Sequence, residues 1–580
     1  MGSLWLRHKL PIQAKKEVRP ASGPMRANMN SPGTGSMERI RNDSGLQTAL
    51  RSLRTNITTS NLVGLIGGIF ALFLLLALHE PWNIRVPLYL VVLVWTILRP
   101  RVVLYLLPFA VPWGSLDIIG VGGLNMNSAD ILVVLLAGGW LMSFALRPSN
   151  TYAAGPRDHE ALNVPRYLIF AMLALISTML LSMTVALSVS SSLKEISKWL
   201  EFLVLVLLGA QYIRTRRQLW TIIVLICLAG ITQAAFGYLQ AFFNLGPTAY
   251  VRDASLRVYS TFGQPNPYAG YINIPLSIAL ALMLLGRNWL TRILAGLTAL
   301  LLAGAEYLTL SRGGEIAIVS ALMFIVIVGM PQIRVFVRLL VIGGLGIVEA
   351  FLIGLIPIYV LTPIFKALGL IGISFTSPSG QDYSTAERLA HWIAGVHMFL
   401  DHPLLGVGIG NYANAYPQYF ITIFVDPLGH AHNYYINIAA ETGSIGLTAY
   451  LLFLLAIFVA GGSSYQYINK KYKQARAQVQ KLTPQSTISA PVDTRHKLFL
   501  LLHPFRLVQQ YRQQETLEIA GMLTNDRALA IGLLAALISV CVHNLVDDLY
   551  VHSLTNLIAL LLIALIRLEG VTPNVVVYGG

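Results

Sequence analysis

Apolar runs of about 17 to 25 residues recur along this chain, and each is long enough to cross about 30 Å of hydrocarbon as a helix. They predict spans near 60–79, 84–98, 102–113, 128–146, 167–188, 197–213, 219–243, 268–286, 293–310, 314–330, 335–357, 443–462, 527–546 and 553–569. The second and third are short and form either a hairpin or one bent element. Barrel-type alternation is absent from the sequence, so the spans are expected to be helices that satisfy their own backbone. One polar stretch interrupts the pattern. Between Gln381 and Gly446 the chain reads QDYSTAERLAHWIAGVHMFLDHPLLGVGIGNYANAYPQYFITIFVDPLGHAHNYYINIAAETGSIG, rich in His, Asn and aromatic residues.

Composition agrees with the pattern. The 580 residues are 55% hydrophobic and 12% charged, about half the charged share of an ordinary soluble chain. This predicts an all-α polytopic membrane protein of about 12–14 transmembrane helices. The net charge of +15 reads as topology rather than as affinity for nucleic acid. If the basic N-terminal tail is cytoplasmic, the same side receives Arg99 and Arg101, the Arg214–Arg217 run, Arg287 and Arg292, and the loop 463–526, hence most of the Lys and Arg. The domain organisation expected is a disordered basic cytoplasmic tail (1–58), a transmembrane bundle (59–357) and an extracytoplasmic catalytic loop carrying amphipathic helices (358–442). A transmembrane helix (443–462), a basic cytoplasmic loop (463–526), a C-terminal transmembrane hairpin (527–570) and a tail (571–580) complete it. Cys227 and Cys541 both fall in spans, which indicates neither a disulfide framework nor a thiolate metal site. The cluster GVGIG at 406–410 lacks the spacing of a dinucleotide fingerprint, and no Walker loop is found.

The remaining polar residues gather on the outer side. Ser311 is a good N-cap, and the glycines after Arg312 let a ligand approach unpaired helix N–H groups, which suits phosphate oxygens. Arg312 adds a bidentate fork; the alternative is an arginine reaching from a helix end to the headgroups. Ser384 and Glu387 stand in capping-box spacing, and Leu389, Trp392, Ile393, Val396, Phe399 and Leu400 form one helical stripe. An amphipathic helix is expected there, ending near Asp401, with Arg388 at the edge of the stripe. Arg388 faces either a buried anion or a surface carboxylate, Glu387 or Asp382. In Gly429-His430-Ala431-His432-Asn433, histidine suits proton transfer and Asn433 suits holding substrate oxygens, although His430 also reads as a plain loop residue. Two histidines at i, i+2 do not share a helix face, and no thiolate or paired carboxylate completes a set, so no metal site is expected. Arg252, Arg257, His391, His543 and Asp547 lie on the same side.

TLSRGG at 309–314, ERLAHWIAGVHMFLDHPLLGVGIGNY at 387–412 and HAHNYYINIAAETGSIGL at 430–447 together resemble the O-antigen ligase and polymerase superfamily, over about 250–460. The run VHNLVD at 542–547 is similar to a feature of some members. The resemblance implies a GT-C-like bundle in a bacterial inner membrane, with no cofactor or metal. Its donor would be a glycan on undecaprenyl diphosphate, and its acceptor a glycolipid, glycan or protein. By motif position Arg312 and Arg388 would hold the pyrophosphate, with Arg257 as a third cation, and His432 would be the catalytic base. Ser311, Gly313, His430, Asn433, His391, His543 and Asp547 would support them. The expected activity is ligase-like, metal-independent, inverting glycan transfer to a hydroxyl. A polymerase or protein O-oligosaccharyltransferase is the alternative, and a solute transporter or flippase is a second alternative from a different class.

Overall fold

A computed structural model describes residues 99–116, 124–145, 164–252, 255–333, 383–482 and 504–574, with 87, 90–96, 118–121, 335–336, 339, 343 and 375–376 besides. The expected tail 1–58, the span 60–79 and nearly all of the span 335–357 lie outside the described residues. The described chain is largely helical. Helices α1 (Arg101–Trp113) and α2 (Ser128–Ala145) are followed by α3 (Arg166–Ser182), α4 (Val189–Tyr212) and α5 (Arg216–Phe243). Then come α6 (Pro265–Leu285), α7 (Trp289–Leu308), α8 (Arg312–Gly329), α9 (Tyr383–Asp401) and the single turn α10 (Tyr412–Ala415). The last are α11 (Tyr434–Leu482), α12 (Pro504–His543) and α13 (Leu554–Val571). Two small antiparallel hairpins, Ile118–Val121 with Leu124–Asn127 and Val251–Arg252 with Ser255–Leu256, lie between helices.

Eight of these helices, α3, α5 to α8 and α11 to α13, are long and apolar enough to cross a membrane. The chain is a multi-pass α-helical membrane protein. Local chemistry sets several of the boundaries. Thr215 and Gln218 form a reciprocal capping box at the start of α5, and Asn244 ends that helix in the left-handed conformation. Asn288 and Ser311 cap α7 and α8 with their side chains.

Burial separates the centre from the rim. The apolar windows of α6 and α12 are 78% buried and that of α13 is 83% buried, against 28% for α7 and for α8. A helix apolar all round can be covered on every side, whereas the rim helices keep an apolar face for lipid. Helix α12 packs along α6, α8 and α11, α11 also packs along α3, and α13 packs along α4. Helix α11 breaks at Gly443, whose φ of 63° and ψ of −166° leave the helical region. A side chain there would meet the Leu404 backbone, so the position needs glycine for both conformation and space.

The helices extend beyond the predicted spans. Helix α11 continues to Leu482 and α12 begins at Pro504, so much of the expected connector 463–526 is helical; 483–503 lie outside the described residues. The run KKYKQARAQVQK is polar but made largely of good helix formers, and a long helix propagates through it.

A buried ion pair ties α5 to α12. Arg216 Nη2 lies 2.7 Å from Asp526 Oδ1, its Nε donates to both carboxylate oxygens, and the Trp220 indole N–H donates to Oδ1 at 3.0 Å. Asp526 is fully buried. Removing Asp526 takes away the hydrogen-bond partner of Arg216 and Trp220, and Arg216 is partly exposed, so Asp526→Ala should cost about 1–3 kcal/mol. The check is a lower midpoint in thermal unfolding of the detergent-purified protein, and an unchanged midpoint would refute this role.

Candidate active site

The start of α8 is built from a web of hydrogen bonds. Leu310 has a φ of 49°, and Ser311 Oγ accepts the N–H of Gly314 at 3.3 Å. Ser311 Oγ also lies 3.1 Å from Asn266 Oδ1, which accepts from Arg257 Nη2 at 3.2 Å, while Arg257 Nε donates to the carbonyl of Thr309 at 3.1 Å. Arg257 therefore braces the turn. Arg312, the first residue of the helix, is exposed. Beneath the turn, Asn273 Nδ2 donates to the Gly314 carbonyl at 2.8 Å, next to the buried Glu306.

A second group forms around α9, which runs from Tyr383 to Asp401, close to the expected bounds. It buries Ala386, Ala390, His391, Ala394, Gly395 and Met398. Half of the apolar stripe points the other way: Ile393, Val396 and Leu400 are exposed, whereas Leu389, Trp392 and Phe399 are half-buried. Small residues let α9 approach α11 closely, and several of the larger apolar ones are left exposed. The ring of His391 stacks on Tyr416 at 4.5 Å and 13°. The Tyr412 hydroxyl donates to the His391 carbonyl and so accepts from His391 Nδ1, 3.1 Å away. Burial, with the nearby His432, pushes His391 down to about 4.

GVGIG closes over the same region. Gly406, Gly408 and Gly410 all have positive φ, of 65°, 98° and 73°. The loop aims the N–H groups of Val407 and Gly408 at the carbonyls of Ala440 and Glu441, which the break at Gly443 would otherwise orphan. Its glycines serve packing, not nucleotide binding. An open cleft of about 490 Å³ beside this loop is lined by Val185, Leu187 and the Asp401–Val407 turn, and no site histidine lines it.

The histidine turn precedes α11. Its Asn433 Oδ1 accepts the N–H groups of Tyr435 and Ile436, so this side chain caps the helix. His432 has a φ of 50°, its N–H donates to His430 Nδ1 at 3.1 Å, and its carbonyl accepts the Trp392 indole N–H. His432 Nδ1 lies 3.2 Å from Oδ1 of Asp547, in the segment that follows α12. Tyr434 N–H also donates to the Asn544 carbonyl, so the turn is docked on that segment.

Burial raises the Asp547 carboxyl, but the hydrogen bond and charge of His432, with His430 and Arg388, outweigh it and hold the group well below the usual carboxylate range. An ionised carboxylate can only accept, so Nδ1 of His432 carries a proton toward it, and in the neutral form of the ring the lone pair is on Nε2. Burial, then His432, pushes His430 down to about 4. Arg388 is half-buried and within electrostatic reach of Asp547, His543 and Glu387.

The predicted residues thus form two groups. Ser311, Arg312, Gly313 and Arg257 belong to the α8 turn, and Arg388, His391, His430, His432, Asn433 and Asp547 to the histidine cluster. The buried His543 joins them, since Gly313 packs against His543 and Val546. Sequence reasoning missed Lys198, whose Nζ lies 2.6 Å from Glu195 and donates to the Tyr550 carbonyl, near Asp548 and His430. The signal was a lysine and a glutamate, in KEISK, at the head of the span expected at 197–213. Burial, with Lys198 opposing and Glu195 adding, raises Asp548 to about 7.

His391 and His430 sit below the ordinary histidine value, so between about pH 6.5 and 4 the unfolded chain binds more protons than the folded one. Their contribution to stability should be complete above about pH 6.5 and lost as pH falls towards 4. Thermal midpoints across this range should fall with acidification, and fall less steeply in His430→Gln; equal slopes would contradict the assignment.

No curated protein matches the chain. The family described as O-Antigen ligase matches residues 297–451, the segment that holds Arg312, Arg388 and His432, and a domain of that family is thereby present over this part of the chain.

Proposed function

We propose that the protein is a glycosyltransferase of the bacterial inner membrane, moving a glycan from an undecaprenyl-diphosphate-linked donor to an acceptor hydroxyl at the extracytoplasmic face. In this reading the bundle is GT-C-like, of about 12–14 spans, with a cytoplasmic N-terminus, and 358–442 is its catalytic loop. The observation that carries it is the pair His432 and Asp547, with Arg388 in electrostatic reach and the α8 turn adjoining through Gly313. The O-antigen ligase domain over 297–451 supports the same class of enzyme.

The chemistry follows from the tautomer. Nε2 of His432 takes the proton of the acceptor hydroxyl, and Asp547 stabilises the imidazolium that forms. The acceptor oxygen bonds to the anomeric carbon as the bond to the diphosphate oxygen breaks, in one displacement with inversion. The polyprenyl diphosphate leaves with its charge met by Arg388 and Arg312 and by the N–H groups of the α8 start, so no metal is required. Arg257 contributes by holding the turn through Thr309 and Asn266. Trp392 and Asp547 fix the orientation of His432.

His432→Ala should lower transfer by about 10²–10⁴-fold, and Arg388→Ala and Arg312→Ala should abolish it, with membrane insertion unchanged in all three. The measurement is product formation in proteoliposomes from a defined lipid-linked donor and candidate acceptors; full activity in a well-expressed His432→Ala protein would sink the base assignment. Asp547→Asn should keep donor binding and lose turnover by up to about 10⁴-fold, because an amide no longer enforces the reactive tautomer. A variant whose KM alone changed would place Asp547 in binding instead. Product size separates ligase from polymerase, since the latter lengthens the lipid-linked chain.

A further inference from the structure

Two histidines separated by one residue point apart on a helix. Here they lie in a turn in which Leu428, Gly429 and His432 all have positive φ, of 48°, 93° and 50°. The reversal brings the rings of His430 and His432 to 4.5 Å, at 77° to each other. Asp547 closes the set, and one ligand atom from each of the three lies within 4.8 Å of the others. Among the described residues no other group of three or more His, Cys, Asp or Glu meets that condition. This reverses the expectation drawn from spacing alone.

The hydrogen bonds say which atoms are available. His430 Nδ1 holds a lone pair that now accepts the N–H of His432, and a metal takes that lone pair in place of this hydrogen bond. His432 Nδ1 faces Asp547 Oδ1 across 3.2 Å, with a proton between them. A dication in place of that proton meets two imidazole nitrogens and one carboxylate oxygen, leaving a position for water. Such a donor set favours Zn²⁺ and its neighbours over Mg²⁺ or Ca²⁺.

We infer that His430, His432 and Asp547 form a binding site for a divalent transition metal such as Zn²⁺, and that metal binding and catalysis exclude one another. When the metal takes Nδ1 of His432, the displaced proton moves to Nε2. That nitrogen then has no lone pair for a hydroxyl proton. The exclusion rests on the proposed role of His432; the binding does not. Arg388 and Lys198 are the cations nearest the cluster, opposed by Glu387 beside His432 and by Glu195 and Asp548 beside Lys198, so the dication does not enter a field of one sign.

The test uses the metal-stripped full-length protein in detergent, with Co²⁺ as a visible-absorption probe and Zn²⁺ as competitor. The wild type should bind Co²⁺ stoichiometrically, lose the band to Zn²⁺ and gain thermal stability with either metal. His430→Ala and Asp547→Asn should each weaken binding by at least the roughly 10–100-fold that loss of even an outer partner costs. His397→Ala, at an exposed histidine of α9, should leave binding unchanged. Absence of a Co²⁺ band in the wild type, or a band that survives in both ligand variants, overturns the site; His430→Asn covers the case in which the alanine variant fails to fold. In the transfer assay Zn²⁺ should inhibit the wild type and a chelator should restore it, whereas continued transfer by metal-loaded protein overturns the exclusion. A wild type without transfer to any acceptor would refute the proposed function while leaving the Co²⁺ result to decide the site.

Discussion

A carboxylate cannot remain ionised at the buried end of a helical bundle unless donors and positive charge surround it. Asp547 is that group, and the segments around the histidine turn are arranged about it. His432 faces one of its oxygens, the Asp548 N–H donates to the same oxygen, and Arg388 lies in reach. Each of these depends on another element: His432 on a left-handed turn docked to Asn544, and Arg388 on a helix whose small residues allow close approach to α11.

The bundle and the site differed in how readable they were. Apolar runs made the positions of α3, α5 to α8 and α13 legible, because lipid imposes a length and a polarity on each span. The extension of α11 to Leu482 was not, since a polar helix past the span reads as a connector. Ser311 was recognisable as a cap because capping is local. The docking of GVGIG on Ala440 and Glu441 was not, because those carbonyls matter only once Gly443 has broken the helix. Arg257 and Asn433 were identified as polar residues of interest, but their hydrogen bonds to Thr309 and to the start of α11 appear only once the fold is in place. The convergence of His430 and His432 depended on positive φ at a non-glycine residue, a choice that local sequence does not announce.

The two faces of α9 divide labour between solvents. Its inner face, built from alanine, glycine and His391, meets protein, while Ile393, Val396 and Leu400 face outward. Arg388 lies between these faces with its charge near Asp547. A guanidinium in that position is neither fully desolvated nor free in water, which keeps its cost of burial low and its attraction for an anion high.

His432 and Asp547 are 115 residues apart, and the histidine turn leans on the segment after α12 for both its backbone and its imidazole. During synthesis, then, 297–451 emerges and inserts long before the partner that organises it. The turn must wait, unsupported, until α12 has entered the bundle between α6, α8 and α11. Assembly of the histidine cluster is thus one of the late events in the maturation of the chain, and a polypeptide stalled before that point carries His432 without the group that orients it.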